Sequence, residues 1–236
     1  MSQPIAVITG ASSGIGAACV DGFSSAGYQT LGVDIESRSE ADEHIVIDLA
    51  APSCGDELAL AIGDRAVGVL VNNAAISADV PILDSTVELW DRVMAVNLRA
   101  PFLLSQALHS ALTANGGGVI VNVASVHALA TSPSAAVYAA SKGGLAALTR
   151  AMAVEWAPTV RANAVLPGAV DTAMLGAGLQ RSQQTIEEMG NRHPLGRVAS
   201  PGEIARVVRF VAVEGTFMTG SAVVVDGGVL SRLSSE

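Results

Sequence analysis

The stretch that decides the fold is Ile5-Ala6-Val7-Ile8-Thr9-Gly10-Ala11-Ser12-Ser13-Gly14-Ile15-Gly16. A short β-branched run breaks into a glycine-rich turn, and an apolar helical stretch from Ile15 to Ala26 follows, stopping at Gly27. Strand, glycine turn and helix form the first half of a parallel β-α-β unit. Glycine lets backbone N–H groups approach a pyrophosphate closely, and the helix N-terminus adds partial positive charge. The spacing Gly10-x3-Gly14-x-Gly16 differs from GxGxxG, the commonest dinucleotide fingerprint, and a lone glycine-rich turn is a weak signal. Its place between a strand and a helix strengthens it.

Outward from that turn, strands and helices alternate along the chain. The strands are expected at Ile5–Thr9, Gln29–Asp34, His44–Asp48, Val67–Asn72, Val119–Ala124, Arg161–Leu166 and Ala222–Val225. Helical stretches are expected near Asp56–Ile62, Thr86–Thr113 (with Pro101 inside), Val137–Ala157 and Pro201–Val213. Continuous apolar strands alternating with helices predict a doubly wound, seven-stranded parallel sheet with helices on both faces. No linker, repeat or shift of composition divides the 236 residues, so one α/β domain is expected. Its cofactor half spans about 1–115 and its catalytic half about 116–236. Thr172 to Ser200 reads as irregular, a long loop of the kind that closes over a site.

Composition excludes several classes of function. Half the residues are apolar and only 15% are charged, which fits a packed core rather than disorder. The net charge of −9 argues against nucleic-acid and anionic-membrane partners, because phosphate binding needs clustered Lys and Arg. No apolar run reaches the ~20 residues of a membrane span. Met1-Ser2-Gln3-Pro4 lacks a basic region, so no signal peptide is expected. Cys19 and Cys54 make neither a disulfide framework nor a zinc site, and no His/Asp/Glu cluster suggests a metal. Two reduced thiols suit the cytoplasm.

Two further positions carry chemistry. Asp34 closes the second strand, 18 residues after Gly16. A carboxylate there accepts hydrogen bonds from both ribose hydroxyls of an adenosine and repels a 2′-phosphate, which selects NAD over NADP. Tyr138 and Lys142 stand four apart on a helix and share a face. Lys142 is the chain's single lysine beside twelve arginines. A tyrosine needs its pKa lowered by about three units to act as a base near neutrality, and a nearby ammonium acts in that direction. An isolated Tyr-x3-Lys is ambiguous, but Ser125 follows the fifth strand, where its hydroxyl could hold a substrate oxygen.

Over essentially its whole length the sequence resembles a classical short-chain dehydrogenase/reductase. The motifs are Thr9-Gly10-x3-Gly14-x-Gly16, Asn72-Asn73-Ala74-Ala75, Asn97, Ser125, Tyr138-x3-Lys142 and Pro167-Gly168. The resemblance implies a single-domain Rossmann fold and an NAD-dependent oxidoreductase interconverting a secondary alcohol and a ketone. It makes Tyr138 the general acid/base, Lys142 the residue that lowers its pKa and binds the nicotinamide ribose, Ser125 the oxygen-orienting residue, and Asn97 the holder of a relay water. It assigns cofactor binding to Gly10, Ser12, Ser13, Gly14, Ile15, Gly16, Asp34, Ile35, Asp48, Leu49, Asn72, Ala74, Pro167, Gly168, Val170 and Thr172, with Tyr138 and Lys142. It also implies a homotetramer or homodimer built on the helices about 99–113 and 138–157, with alanines at 139, 140, 146 and 147 allowing close approach. Ala75 departs from the glycine usual in the family.

The substrate is expected among Ser125, His127, Ala169 and Met174, with Ile76, Leu129, Val137, Leu175, Met189 and His193 nearby. Most are apolar, which favours a hydrophobic or weakly polar alcohol or ketone. His127 fits three readings: a partner for the second oxygen of a diol or hydroxyketone, a pocket wall, or part of a 3-hydroxybutyrate-type site. Against the last, Ser77 and Ala135 stand where an acid would be held, and no cation occupies 135. A non-catalytic NAD sensor on the same fold is the alternative of another class. An epimerase or dehydratase would want a larger C-terminal domain.

Overall fold

In the computed structural model, which describes residues 3–114 and 116–232, the β-branched runs form seven parallel strands. They are β1 (Ile5–Thr9), β2 (Gln29–Asp34), β3 (Glu43–Val46), β4 (Val67–Asn72), β5 (Gly118–Val123), β6 (Val160–Pro167) and β7 (Ala222–Val225), in the order β3-β2-β1-β4-β5-β6-β7. The order reverses between β1 and β4, and a doubly wound sheet binds ligands outside the carboxyl ends of its strands at such a point.

Alternation along each strand divides the core in two. Val7, Leu31, Val33, Leu70 and Ile120 face one side. They pack there against α2 (Cys54–Ile62), α4 (Ala100–Ala107) and the end of α6 (Ala136–Glu155). Ala6, Ile8, Val69, Val71 and Val121 face the other. α1 (Gly14–Ser24) and α9 (Pro201–Arg209) cover that layer. Cys19 and Cys54 are free and buried in opposite layers, which keeps them apart.

Two expectations are corrected. The stretch 86–113 is not one helix: α3 (Val87–Met94) runs into a π-helical turn, Ala95–Arg99, then α4, a break at Leu108, and α5 (His109–Thr113). Pro101 has no N–H to donate to the carbonyl four residues back, so regular α-helix cannot run through it. The stretch 172–200 is not irregular either. It holds α7 (Ala173–Ser182) and α8 (Ile186–Asn191), the second opened by a capping box between Thr185 and Glu188.

Candidate active site

The turn after β1 is a cradle built from glycine. Gly10 and Gly14 adopt positive φ (67° and 54°), and a Cβ on Gly16 would lie 1.9 Å from the Gly10 carbonyl oxygen. Asn73 Nδ2 clamps the turn by donating to the carbonyls of Thr9 (2.9 Å) and Gly10 (3.3 Å). Thr9 Oγ1 accepts from the N–H groups of Asn73 and Ala74. Ser13 caps α1 without a side-chain bond, leaving the first N–H groups of the helix open, and Ser12 Oγ is buried without a partner. Orphan donors at a helix N-terminus and a lone buried hydroxyl suit a phosphate.

Asp34 stands at the edge of this cradle. Its Oδ2 accepts from Ser12 N (2.9 Å) and its Oδ1 from Ile35 N (2.7 Å) and Glu36 N (3.2 Å). Thr172, the N-cap of α7, lies against Gly14, so the far half of the chain closes on the same turn. Leu49 is buried beside the exposed Asp48 beyond β3. The glycines, the unpartnered hydroxyl and the carboxylate therefore fit a dinucleotide.

The second cluster sits where β5 ends. Ser125 follows the strand in extended backbone, and its Oγ accepts from His127 N at 3.2 Å. α6 presents Tyr138 and, one turn later, Lys142, whose Nζ donates to the Val123 carbonyl at 2.8 Å and lies 5.7 Å from the Tyr138 ring centre. The Lys142 ammonium is not among the groups that shift the phenol. Desolvation pushes Tyr138 up to about 12, against a lowering bond from Ser125, and burial pushes Lys142 down to about 7. A buried amine near neutrality is often uncharged, so it contributes little positive potential.

Asn97 lies in the π-helical turn, wholly buried. Its side chain is fully engaged: Oδ1 accepts from Ile76 N, and Nδ2 donates to the Ile76 carbonyl and to Ser141 Oγ. Pro101, four residues on, returns no N–H to the Asn97 backbone carbonyl. π-helical turns recur at functional sites for this kind of reason.

Around the entrance, His127 meets Tyr138 edge-on (ring centres 5.6 Å apart) and its Nδ1 lies 3.0 Å from Thr131 Oγ1. Desolvation holds the imidazole below its usual pKa, and hence neutral. His193 ties α8 to the segment after β6: Nδ1 donates to the Met189 carbonyl of α8, and Nε2 accepts from Ala169 N. Gly168, Val170 and Met174 flank this junction between β6 and α7.

Asn72 is among the expected cofactor contacts. Its side chain points into the layer of Leu70, not the cleft, donating to Asn122 Oδ1 (2.8 Å) and Ser105 Oγ (3.3 Å). Strand alternation carries the signal, since Asn72 shares a face with Leu70 two positions earlier. The clamp on the turn is Asn73, to which the sequence reading gave no role. That reading also missed Asp79 and Arg181, which meet at the mouth of the cleft.

Fold and site together define a doubly wound α/β protein with a Ser-Tyr-Lys cluster beside a nucleotide cradle. A family model described as enoyl-(acyl carrier protein) reductase matches residues 10–230. L-xylulose reductase of Bos taurus is 37% identical over 240 residues, covering 96% of either chain. Cyclopentanol dehydrogenase of Comamonas is 41% identical over 171 residues, covering 72% of this chain and 68% of that one. The ligand-free aldohexose dehydrogenase of Thermoplasma acidophilum superposes with a TM-score of 0.94 at 31% identity, covering 99% of this chain and 96% of that one. The chain belongs to the short-chain dehydrogenase/reductase family of oxidoreductases.

Proposed function

We propose that this protein interconverts a secondary alcohol and a ketone with NAD(H), acting on a hydroxyketone, diol or cyclic alcohol. The observation that carries the reading is the meeting of Ser125, Tyr138 and Lys142 at the carboxyl edge of the sheet, beside the cradle. Bound nicotinamide would supply the hydride acceptor, and the chain does the rest. Ser125 Oγ holds the substrate oxygen, and Tyr138 Oη takes the proton as the carbonyl forms. Lys142 Nζ exchanges that proton with a water on the Asn97 carbonyl. For Tyr138 to act as base near neutrality its pKa must fall, and binding must do this by fixing a charged Lys142 beside it.

Gly10, Ser12, Ser13, Gly14, Ile15 and Gly16 would hold the pyrophosphate. Asp34 and Ile35 would hold the adenosine ribose, and Asp48 and Leu49 the adenine. Ala74, Pro167, Gly168, Val170 and Thr172 would line the nicotinamide end. One solved neighbour holds NADH and another NADP at low occupancy. Asp34 supports NAD here, since its carboxylate is fixed by three backbone donors where a 2′-phosphate would sit. The neutral, hydroxylated compounds named in the relatives' activities support the substrate class.

The same reading makes the protein a cytoplasmic homotetramer or homodimer. Two free thiols support the compartment. None of the described helices is long and apolar enough to cross a membrane, and no metal-binding cluster occurs among the described residues. A panel of diols, sugars, hydroxy acids and cyclic alcohols, assayed with NAD and NADP, tests the function. The expected result is turnover at least tenfold better with NAD, and a Tyr138→Phe variant that binds NADH but loses about 10²-fold or more in kcat. Equal use of NADP would overturn the Asp34 argument, and an undiminished kcat in the variant the acid/base assignment.

A further inference from the structure

The entrance to the cleft carries an ion pair that none of these roles uses. α7 brings Arg181 against the segment that follows β4: Nη2 meets Asp79 Oδ2 at 2.5 Å and stands 3.5 Å from Ser77 Oγ. Val80 N donates to the Ser134 carbonyl at 2.9 Å, fastening that segment to the loop between Ser125 and α6. The same loop carries His127 and Thr131 beside Tyr138. Three segments thus converge where a substrate enters, bringing one guanidinium, one carboxylate and one imidazole. Both members of the ion pair are about half exposed, at 52% and 43%, so an entering solute meets them directly. The carboxylate's field also reaches inward, where it opposes ionisation of Tyr138 and favours protonation of His127.

We propose that Asp79 masks Arg181, and that the pair sets the charge of the substrates this site accepts. Neutral ketones and alcohols bearing a second hydroxyl are admitted, and carboxylate-bearing ones are turned away. This rests on the dehydrogenase reading and sharpens its substrate class. A guanidinium binds a carboxylate through two parallel N–H donors, so an unmasked Arg181 would be an acid receptor. Held by Asp79, it offers an incoming acid a contact already taken and a like charge beside it. A hydroxyl meets no such conflict, because it donates to the carboxylate and accepts from the guanidinium while the pair stays together. The pair is solvated, and exposed ion pairs contribute little to folding, so its removal leaves the fold standing.

Acetoacetate and 4-hydroxy-2-butanone share a carbon skeleton and differ at one end, carboxylate against hydroxymethyl. With NADH, the wild-type protein is expected to favour the neutral ketone in kcat/KM. Asp79→Asn should shift the ratio at least tenfold toward acetoacetate, mainly through KM, and adding Arg181→Gln should abolish the gain. Acetoacetate titrated into the NADH-loaded proteins, each carrying Tyr138→Phe to suppress turnover and followed by NADH fluorescence, should bind in the same order. The proposal is overturned if Asp79→Asn gains no acetoacetate affinity, or if the gain survives in the double variant. A protein that shows the binding order but turns over neither ketone nor any compound of the panel above would sink the dehydrogenase reading and leave the masked arginine standing.

Discussion

Lys142 shows what burial does to a charge before any ligand arrives. Its ammonium end has one carbonyl partner and is otherwise enclosed, with 2% of the residue exposed, so the neutral amine is favoured and the pKa sits at about 7. The folded value lies below the unfolded one, near 10.4, so the unfolded chain binds more protons between about pH 7 and 10. Stability contributed by this residue therefore rises with pH through that window. Tyr138 and Cys19, both pushed up to about 12, act with the opposite sign, the phenol above about pH 10 and the thiol from about pH 8.5. Urea denaturation without nucleotide should find the wild-type protein more stable at pH 9 than at pH 7, with about 2 kcal/mol of the difference due to Lys142. Lys142→Met should lose that part of the difference, and equal pH slopes in the two proteins would show that the amine is charged throughout. The lysine's place and its partner were legible in the sequence, as the chain's single lysine one helical turn from a tyrosine. The sense of its electrostatics was not, because desolvation depends on how completely a side chain is enclosed, and one-dimensional spacing carries no such information.

Elements were legible where one physical signal ran for their whole length. The five inner strands, β2, β1, β4, β5 and β6, could be read because burial on both faces favours apolar residues, whereas β3 and β7 at the sheet edges are only partly buried. α7 and α8 could not: one carries Gly176 and Gly178, the other has six residues, and neither is long enough for a hydrophobic period to show. Their available signals were local, at the caps: Thr172 at the start of α7, and Thr185 with Glu188 at the start of α8. The Arg181–Asp79 pair joins residues 102 apart and had no sequence signal. The break before α4 was visible as Pro101, yet its use was not. Pro101→Ala restores an N–H that can close on the Asn97 carbonyl and take it from the relay water. That variant should keep its helix content while kcat falls about tenfold and the solvent deuterium isotope effect grows, since proton exchange becomes slower than hydride transfer. An unchanged kcat would remove the Asn97 carbonyl from the proposed relay.

At the scale of the whole molecule, the feature that asks for a partner is a groove of about 670 Å³ between α3–α4 and α6. Met94, Ala95, Leu98, Phe102, Gly144 and Leu148 line it, with Asp91 and Arg99 among them, and Phe102 is 43% exposed. Of the alanines expected to bring helices together, Ala140 and Ala147 do face outward, but Ala146 is spent inside the protomer at 7% exposure. The groove's wall includes Ala95 and Leu98 of the π-helical turn, so a second copy seated there would cover the element that carries Asn97. Covering apolar surface contributes roughly 25 cal/mol per Å², and a further charge forced into such a contact would have to be desolvated. Light scattering at micromolar concentration should therefore give the wild-type mass as two or four chains, and Phe102→Asp should fall toward the mass of one chain with an unchanged circular dichroism spectrum. A wild-type protein already at the mass of one chain would refute the assembly. A variant that stays assembled would move the interface away from α4 and α6.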